Sequence, residues 1–153
     1  MGPIQFRRAE RADLEAIIDL LWDDELGRTR EDNRRPLNPD YLQAFEAICR
    51  DKNQYQLIAE SEGQVIGTLQ ISFIPGLARC GAWRGQIEAV RIHRDFRSAG
   101  LGQLMLTHAM ELCRARGCYL VQLTSDKTRH DAHRFYERLG FKATHDGFKL
   151  QWD

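Results

Sequence analysis

The chain has 153 residues, of which 42% are hydrophobic and 29% are charged, a balance typical of a single soluble globular domain. Lysine plus arginine equals aspartate plus glutamate at 22 each, so the net charge near zero argues against broad binding of nucleic acid or of an anionic membrane surface. No apolar run approaches the roughly 18 residues that span a bilayer, and Arg7, Arg8 and Glu10 lie where a secretory signal would be apolar. We therefore expect a cytoplasmic protein with no membrane segment.

The cysteines form no CxxC pair and are far apart in the sequence. Free thiols are therefore the favoured interpretation for Cys49, Cys80, Cys113 and Cys118. The five histidines show no spacing typical of a metal site or a catalytic triad, and we expect no metal.

The first part of the chain alternates predicted strands and helices. A strand is predicted at Ile4 to Arg8, and an amphipathic helix follows from about Asp13 to Trp22. A charged stretch with glycine and proline, Asp23 to Asp40, is predicted to be a loop, and a second helix runs from Asp40 to about Asp51.

A hairpin is predicted next. The strands Tyr55 to Glu60 and Val65 to Ile74 are joined by Ser61 to Gln64, where Gly63 can adopt a positive φ. Pro75 and Gly76 end the second strand, and a loop at 77–83 follows.

The next segment joins a strand to a helix through a glycine-bearing turn. The strand Ile87 to Ile92 leads through a polar turn to a helix that begins near Leu101, with Gly100 and Gly102 at its first turn. Open N–H groups and the helix dipole favour an anion there, and Arg91, Arg94 and Arg97 lie just upstream. The segment lacks the Gly-Lys-Ser/Thr of a Walker loop, and Met105 stands where a dinucleotide turn needs its third glycine.

The last part of the chain completes a βαβ unit. The helix that ends at Gly117 precedes a strand at Tyr119 to Leu123, which should lie parallel to the strand at 87–92. A short helix from about Asp131 to Leu139 follows, and two final strands, Phe141 to Thr144 and Phe148 to Trp152, are predicted on either side of an Asp-Gly turn.

Two separated motifs carry a family resemblance. The turn Arg97-x-x-Gly100-x-Gly102 is followed, after a strand, by Arg134-Phe135-Tyr136-Glu137-Arg138-Leu139-Gly140-Phe141. Their order and spacing resemble the GNAT superfamily of acetyl-CoA-dependent N-acetyltransferases. The resemblance implies a single domain over residues 1–153 with an α/β fold, a mixed and mostly antiparallel sheet of about seven strands flanked by about four helices.

The resemblance also implies how acetyl-CoA is bound. Main-chain N–H groups of the turn would hold the diphosphate, and this turn consists of Arg97, Ser98, Ala99, Gly100, Leu101, Gly102 and Gln103. The main chain of Val90, Arg91 and Ile92 would hold the pantetheine arm and polarise the thioester.

Acetyl transfer to an amine needs a base and an acid. Glu88 is the candidate base, since its apolar neighbours predict partial desolvation and a raised pKa, but it could equally form a cross-strand pair or face solvent. Tyr136, at the family's tyrosine position, is the candidate acid for the departing thiolate. The alternative for Tyr136 is core packing, because it shares a helical face with apolar residues.

Two regions leave the interpretation open. The family's usual asparagine after the last parallel strand is absent from Thr124 to Asp131, where Ser125 or Asp126 could replace it and Lys127 or Arg129 could reach a cofactor phosphate. In this family the loop between the first two helices overlies the acceptor. Here that loop mixes carboxylates with arginines, so it selects neither a cationic nor an acidic acceptor.

The sequence therefore predicts an N-acetyltransferase that uses acetyl-CoA and a primary amine, a small molecule in preference to a protein, with direct transfer in a ternary complex. An acyl-CoA-binding sensor that does not catalyse transfer, and a plain interaction domain, are the alternatives. The resemblance also allows a homodimer.

Overall fold

Five strands form one mixed sheet in a computed structural model that describes residues 2–153. The strands, in sheet and chain order, are β1 Ile4–Arg8, β2 Gln54–Ser61, β3 Gln64–Ile74, β4 Trp83–Ile92 and β5 Cys118–Leu123. The helices are α1 Leu14–Trp22, α2 Pro39–Arg50, α3 Ala78–Gly81, α4 Leu101–Ala115 and α5 His130–Arg138. The predicted α/β class is confirmed, with five strands rather than about seven.

The pairing of the strands confirms both predicted supersecondary units. Neighbours from β1 to β4 are antiparallel, and β2 and β3 form the predicted hairpin, with φ of 51° at Glu62 and 77° at Gly63. β4 and β5 are parallel and are connected through α4, as the βαβ pattern required.

Helix α4 packs on one face of the sheet. Its fully buried residues are Leu101, Met105, Leu106, Ala109 and Cys113. The sequence spacing predicts an apolar stripe along this helix formed by Leu101, Leu104, Met105, Ala109 and Leu112, but Leu104 is 51% exposed. Apolar residues surround much of α4, so the sequence allowed more than one buried face, and contact with the sheet selected the one containing Leu106 and Cys113.

Strand β4 begins at Trp83, four residues before the predicted start at Ile87. The first half of β4 is polar and therefore shows no strand pattern in the sequence. This half nevertheless pairs with β5, from Trp83↔Cys118 to Ile87↔Leu123. A Cβ at Gly85 would lie 2.4 Å from Sγ of Cys113, so the glycine lets α4 approach the strand.

The prediction of two final strands is wrong for this chain. Residues 139–153 follow α5 with no strand assignment, and Phe148, Leu150 and Trp152 are 94%, 74% and 85% exposed. Their alternation has strand character, but a strand also needs a hydrogen-bonded neighbour, and within residues 2–153 the outer edge of β5 has none.

Helix α3 was predicted as part of a loop, and it is one turn in which Arg79 and Cys80 have positive φ. This turn accounts for the fifth helix where the sequence predicted about four. No helix in residues 2–153 is both long enough and apolar enough to cross a bilayer.

Candidate active site

Strands β4 and β5 are the last two strands of the sheet, and they pair only along the first half of β4. Their last paired residues are Ile87 and Leu123, whereas β4 continues to Ile92 alongside β3. A β-bulge lies in the same stretch, where Ala89 has a φ of 52° and the register with β3 shifts. The main chain at 88–92 therefore faces a gap on the β5 side, and this gap contains Val90, Arg91 and Ile92, the predicted pantetheine-binding positions.

The turn after β4 opens the N-terminus of α4 to solvent. Ser98 and Gly100 have φ of 66° and 79°, and α4 begins at Leu101 without a side-chain cap. A Cβ at Gly100 would meet no atom within 4 Å, so the space above the first turn is free. The first N–H groups of α4 can thus receive an anion, as predicted.

The two glycines of the turn have different structural reasons. A Cβ at Gly102 would lie 3.1 Å from Cζ of Phe135, so Gly102 makes room for α5. The sequence assigned both glycines to ligand approach, whereas the structure gives Gly102 a packing role.

Arg97 stabilises the turn through hydrogen bonds to two main-chain carbonyls. Its Nε donates to the carbonyl of Ile92 at 3.1 Å, and its Nη2 donates to the carbonyl of Asp23 at 2.9 Å. Arg94 also forms a bidentate contact with the Asp23 carboxylate. The loop after α1 is thus fastened to the predicted diphosphate turn.

Asp24 lies on the other side of the parted strands. Its carboxylate accepts hydrogen bonds from Nη1 and Nη2 of Arg129 at 2.9 and 2.6 Å and from the N–H of Gly27 at 3.0 Å. Burial opposes its ionisation, but Arg129, Arg91 and the Gly27 N–H outweigh burial, and the pKa of Asp24 is lowered.

Tyr136 packs its ring in the core, one of the two alternatives left open by the sequence. Its ring packs against Phe135 and Phe141, with centroid distances of 5.3 and 6.0 Å. Its hydroxyl forms no hydrogen bond within residues 2–153. Burial raises the pKa of Tyr136, and the charges of Arg91 and Arg129 oppose that shift. The phenol therefore stays protonated at neutral pH and has a proton to donate.

Glu88 is exposed and lies at the point where the strands part, opposite Gln70 of β3. The partial desolvation expected from its apolar neighbours is therefore not found. The side chain faces outward on the parted segment, where it is accessible to water.

Residues 14–141 match the sequence model of the acetyltransferase (GNAT) family. The chain belongs to the GNAT acetyltransferase family. The parted strands, the open helix N-terminus and the tyrosine are thus found in a GNAT domain, as the two motifs predicted, and membership supports the predicted class of acetyl-CoA-dependent N-acetyltransferase.

The chain is also similar to individual proteins, two of which are named as N-acetyltransferases. The chain is 31% identical to an aminoalkylphosphonate N-acetyltransferase of Salmonella typhimurium over 71% of this chain and 70% of that one. It is 36% identical to a glucosamine 6-phosphate N-acetyltransferase of Trypanosoma brucei brucei, over 53% of each chain, so the match spans about half of that relative. A crystal structure of a protein described as a transcriptional regulator from Bacillus halodurans C-125 is 44% identical, with a TM-score of 0.96 over 98% of this chain and 100% of that one.

The sequence did not reveal the pairing of Asp24 with Arg129 in this GNAT domain. The two residues are 105 positions apart, and no spacing rule connects them. Arg129, one of the two residues that could reach a cofactor phosphate, donates two hydrogen bonds to Asp24. Asp126, a candidate replacement for the missing asparagine, accepts from the N–H and hydroxyl of Thr128 at 2.9 and 2.7 Å and shapes the turn before α5.

Proposed function

We propose that this GNAT domain transfers the acetyl group of acetyl-CoA directly to a primary amine of a small molecule, with both substrates bound together. The observation that carries the proposal is the gap between β4 and β5, which leads to the open N-terminus of α4 at one end and to Tyr136 on α5 at the other. A thioester in this gap would lie against main-chain groups of β4.

The turn would hold the diphosphate of CoA. The N–H groups after Gly100 point into free space, and a helix N-terminus favours negative charge. Arg94 and Arg97 already contact Asp23, so they support the turn, and the contacts with the phosphates would come from the main chain.

The chemical step needs a neutral amine, because a free alkylammonium has a pKa near 10. Glu88 would accept the proton of the amine, directly or through water, since the side chain is exposed at the gap. The amine nitrogen then bonds to the acetyl carbon, and main-chain N–H groups at 90–92 stabilise the oxyanion.

Collapse of the intermediate breaks the carbon–sulfur bond. Tyr136 would donate its proton to the departing thiolate, a suitable transfer because a thiol has a pKa of about 8.5 and this phenol has a raised pKa. The products are the acetamide and CoA, and no acyl-enzyme is formed.

The relatives support a small acceptor. Two of them are named for amines that carry a phosphate or a phosphonate group, glucosamine 6-phosphate and aminoalkylphosphonates. We extend the proposed acceptor class of this chain to small primary amines that carry a phosphate or phosphonate group.

The test is thiol release from acetyl-CoA in the presence of a panel of primary amines, together with calorimetry of CoA binding. Amine-dependent thiol release with stoichiometric acetamide supports the proposal. CoA binding without release for any amine would favour the acyl-CoA sensor instead, and absence of CoA binding would refute the cofactor site.

A further inference from the structure

Arg91 is a partly buried cation whose hydrogen-bonding capacity is almost unused. Its side chain is 16% exposed, and its one hydrogen bond in the described chain runs from Nη1 to the adjacent carbonyl of Val90 at 2.9 Å. The Nε is buried and has no partner. A guanidinium has five N–H donors, so most of the donors of Arg91 are free for a ligand.

Asp24 does not satisfy Arg91. The two side chains approach to 3.6 Å, too long for a hydrogen bond, because the carboxylate oxygens are already bonded to Arg129 and Gly27. Two guanidinium groups therefore share the Asp24 carboxylate, and Arg30 adds a third positive charge within electrostatic range of Arg91. Asp126 is a second carboxylate near this group, and its charge acts on Arg30 and Arg129. Three arginines thus face two carboxylates. This leaves an excess of positive charge next to Tyr136.

An orphan donor alone does not identify a ligand site, because Nε of Arg84 is also buried without a partner. Arg84 lies where β4 is still paired with Leu120 of β5, whereas Arg91 lies beyond the point of parting and close enough to Tyr136 for their charges to interact. Only Arg91 therefore combines an unpartnered Nε with a position at the gap and an excess of positive charge.

We infer that Arg91 binds an anionic phosphate or phosphonate group of the acceptor, whose amine then lies at the thioester. This inference rests on the proposed acetyl transfer and specifies its substrate. The oxygens of a phosphate or phosphonate accept several N–H bonds from a guanidinium in a fixed fork, and they neutralise the excess charge. A polycationic acceptor such as a polyamine is disfavoured by the same charges.

The experiment compares acceptors that differ only in the anion. Glucosamine 6-phosphate is compared with glucosamine, and 2-aminoethylphosphonate with ethanolamine, by kcat/KM at saturating acetyl-CoA. We expect the anionic member of at least one pair to be preferred by roughly tenfold to a hundredfold, the range of one charge-assisted contact.

Arg91→Gln should lower kcat/KM for the anionic acceptor, through a higher KM, by far more than for its uncharged counterpart, so that the preference is lost. Arg84→Gln is the matched control, since it removes the other orphan Nε on the same strand and should preserve the preference. Equal use of both members of each pair, or equal loss in both variants, overturns the inference. Thiol release with uncharged amines in that case would leave the proposed function standing, whereas no release with any amine would count against the proposed function itself.

Discussion

Two adjacent aspartates in the loop after α1 form two different ion-pair clusters. Asp23 faces arginines whose side chains are half exposed: Arg28 at 54%, Arg94 at 59% and Arg97 at 51%. Asp24 is 16% exposed, and its partners Arg91 and Arg129 are only 16% and 28% exposed. Asp23 is itself 17% exposed, so the two carboxylates are equally buried, and the clusters differ in the exposure of their arginine partners.

This difference gives the two clusters different roles: the Asp23 cluster holds the loop in place, and the Asp24 cluster lies next to the proposed reaction site. Around Asp23, water screens the charges, so the cluster fastens the loop to the diphosphate turn at little energetic gain. Around Asp24, the charges are partly desolvated, which makes an unbalanced cation costly and places an electrostatic field on Tyr136. We call these the turn side and the reaction side.

The largest effect is expected on the turn side from Gly100→Trp. The indole would fill the free space above the N-terminus of α4, and we expect CoA binding to be lost. Gly63→Trp is a matched control, because Gly63 has a φ of 77° against 79° at Gly100, and a Cβ at either glycine meets no atom within 4 Å. Both variants incur the same positive-φ strain of about 1–2 kcal/mol. Calorimetry showing normal CoA binding by Gly100→Trp would contradict the assignment of the turn.

On the reaction side, Tyr136→Phe should lower kcat by about a hundredfold, the lower range for a general acid. CoA affinity and stability should stay the same, since the hydroxyl forms no hydrogen bond within residues 2–153. The pKa of Tyr136 is raised from its ordinary value near 10. At pH values below about 10, loss of this proton should therefore not lower kcat. Unchanged turnover at saturating substrates would remove Tyr136 from the acid role.

A comparison of Asp24→Asn with Asp23→Asn measures the two clusters directly. Loss of the Asp24 charge leaves two partly buried cations unbalanced and should lower the free energy of unfolding by about 2–4 kcal/mol, somewhat below the range for fully buried pairs. The Asp23 variant should lose less than about 1 kcal/mol. Urea denaturation at neutral pH gives both values.

The pH dependence of this comparison follows from the lowered pKa of Asp24. The ionised carboxylate contributes stability above its unfolded pKa of about 3.9, and that contribution is lost as the pH falls through the lower folded value. The difference between wild type and Asp24→Asn should therefore persist at neutral pH and shrink in acid below about pH 4. A difference that stays constant at pH values well below 4 would show that the charge of Asp24 is not its cause.

The smallest effect should come from Arg94→Ala on the turn side. This variant removes the bidentate contact with Asp23, and we expect a small loss of stability that disappears in 1 M salt, where the Debye length is about 3 Å. A salt-insensitive loss as large as that of Asp24→Asn would remove the distinction between the two clusters.

Much of the site was predictable because its signals are local. The turn glycines, the βαβ unit and Tyr136 are encoded by short motifs and by apolar periodicity, and the structure places them on connected elements around one gap. The Asp24–Arg129 pair gave no such signal, because it joins two loops that are 105 positions apart in the sequence. The tertiary structure brings these loops together.

The sequence by itself determined where strands and helices alternate, because hydrophobic periodicity and glycine turns act over a few residues. Tertiary structure decided which face of α4 is buried, why Gly102 must be a glycine and whether residues 139–153 form a strand. Each of these depends on a partner distant in the chain, and the alternating pattern of Phe148, Leu150 and Trp152 becomes a strand only where another strand supplies the hydrogen bonds.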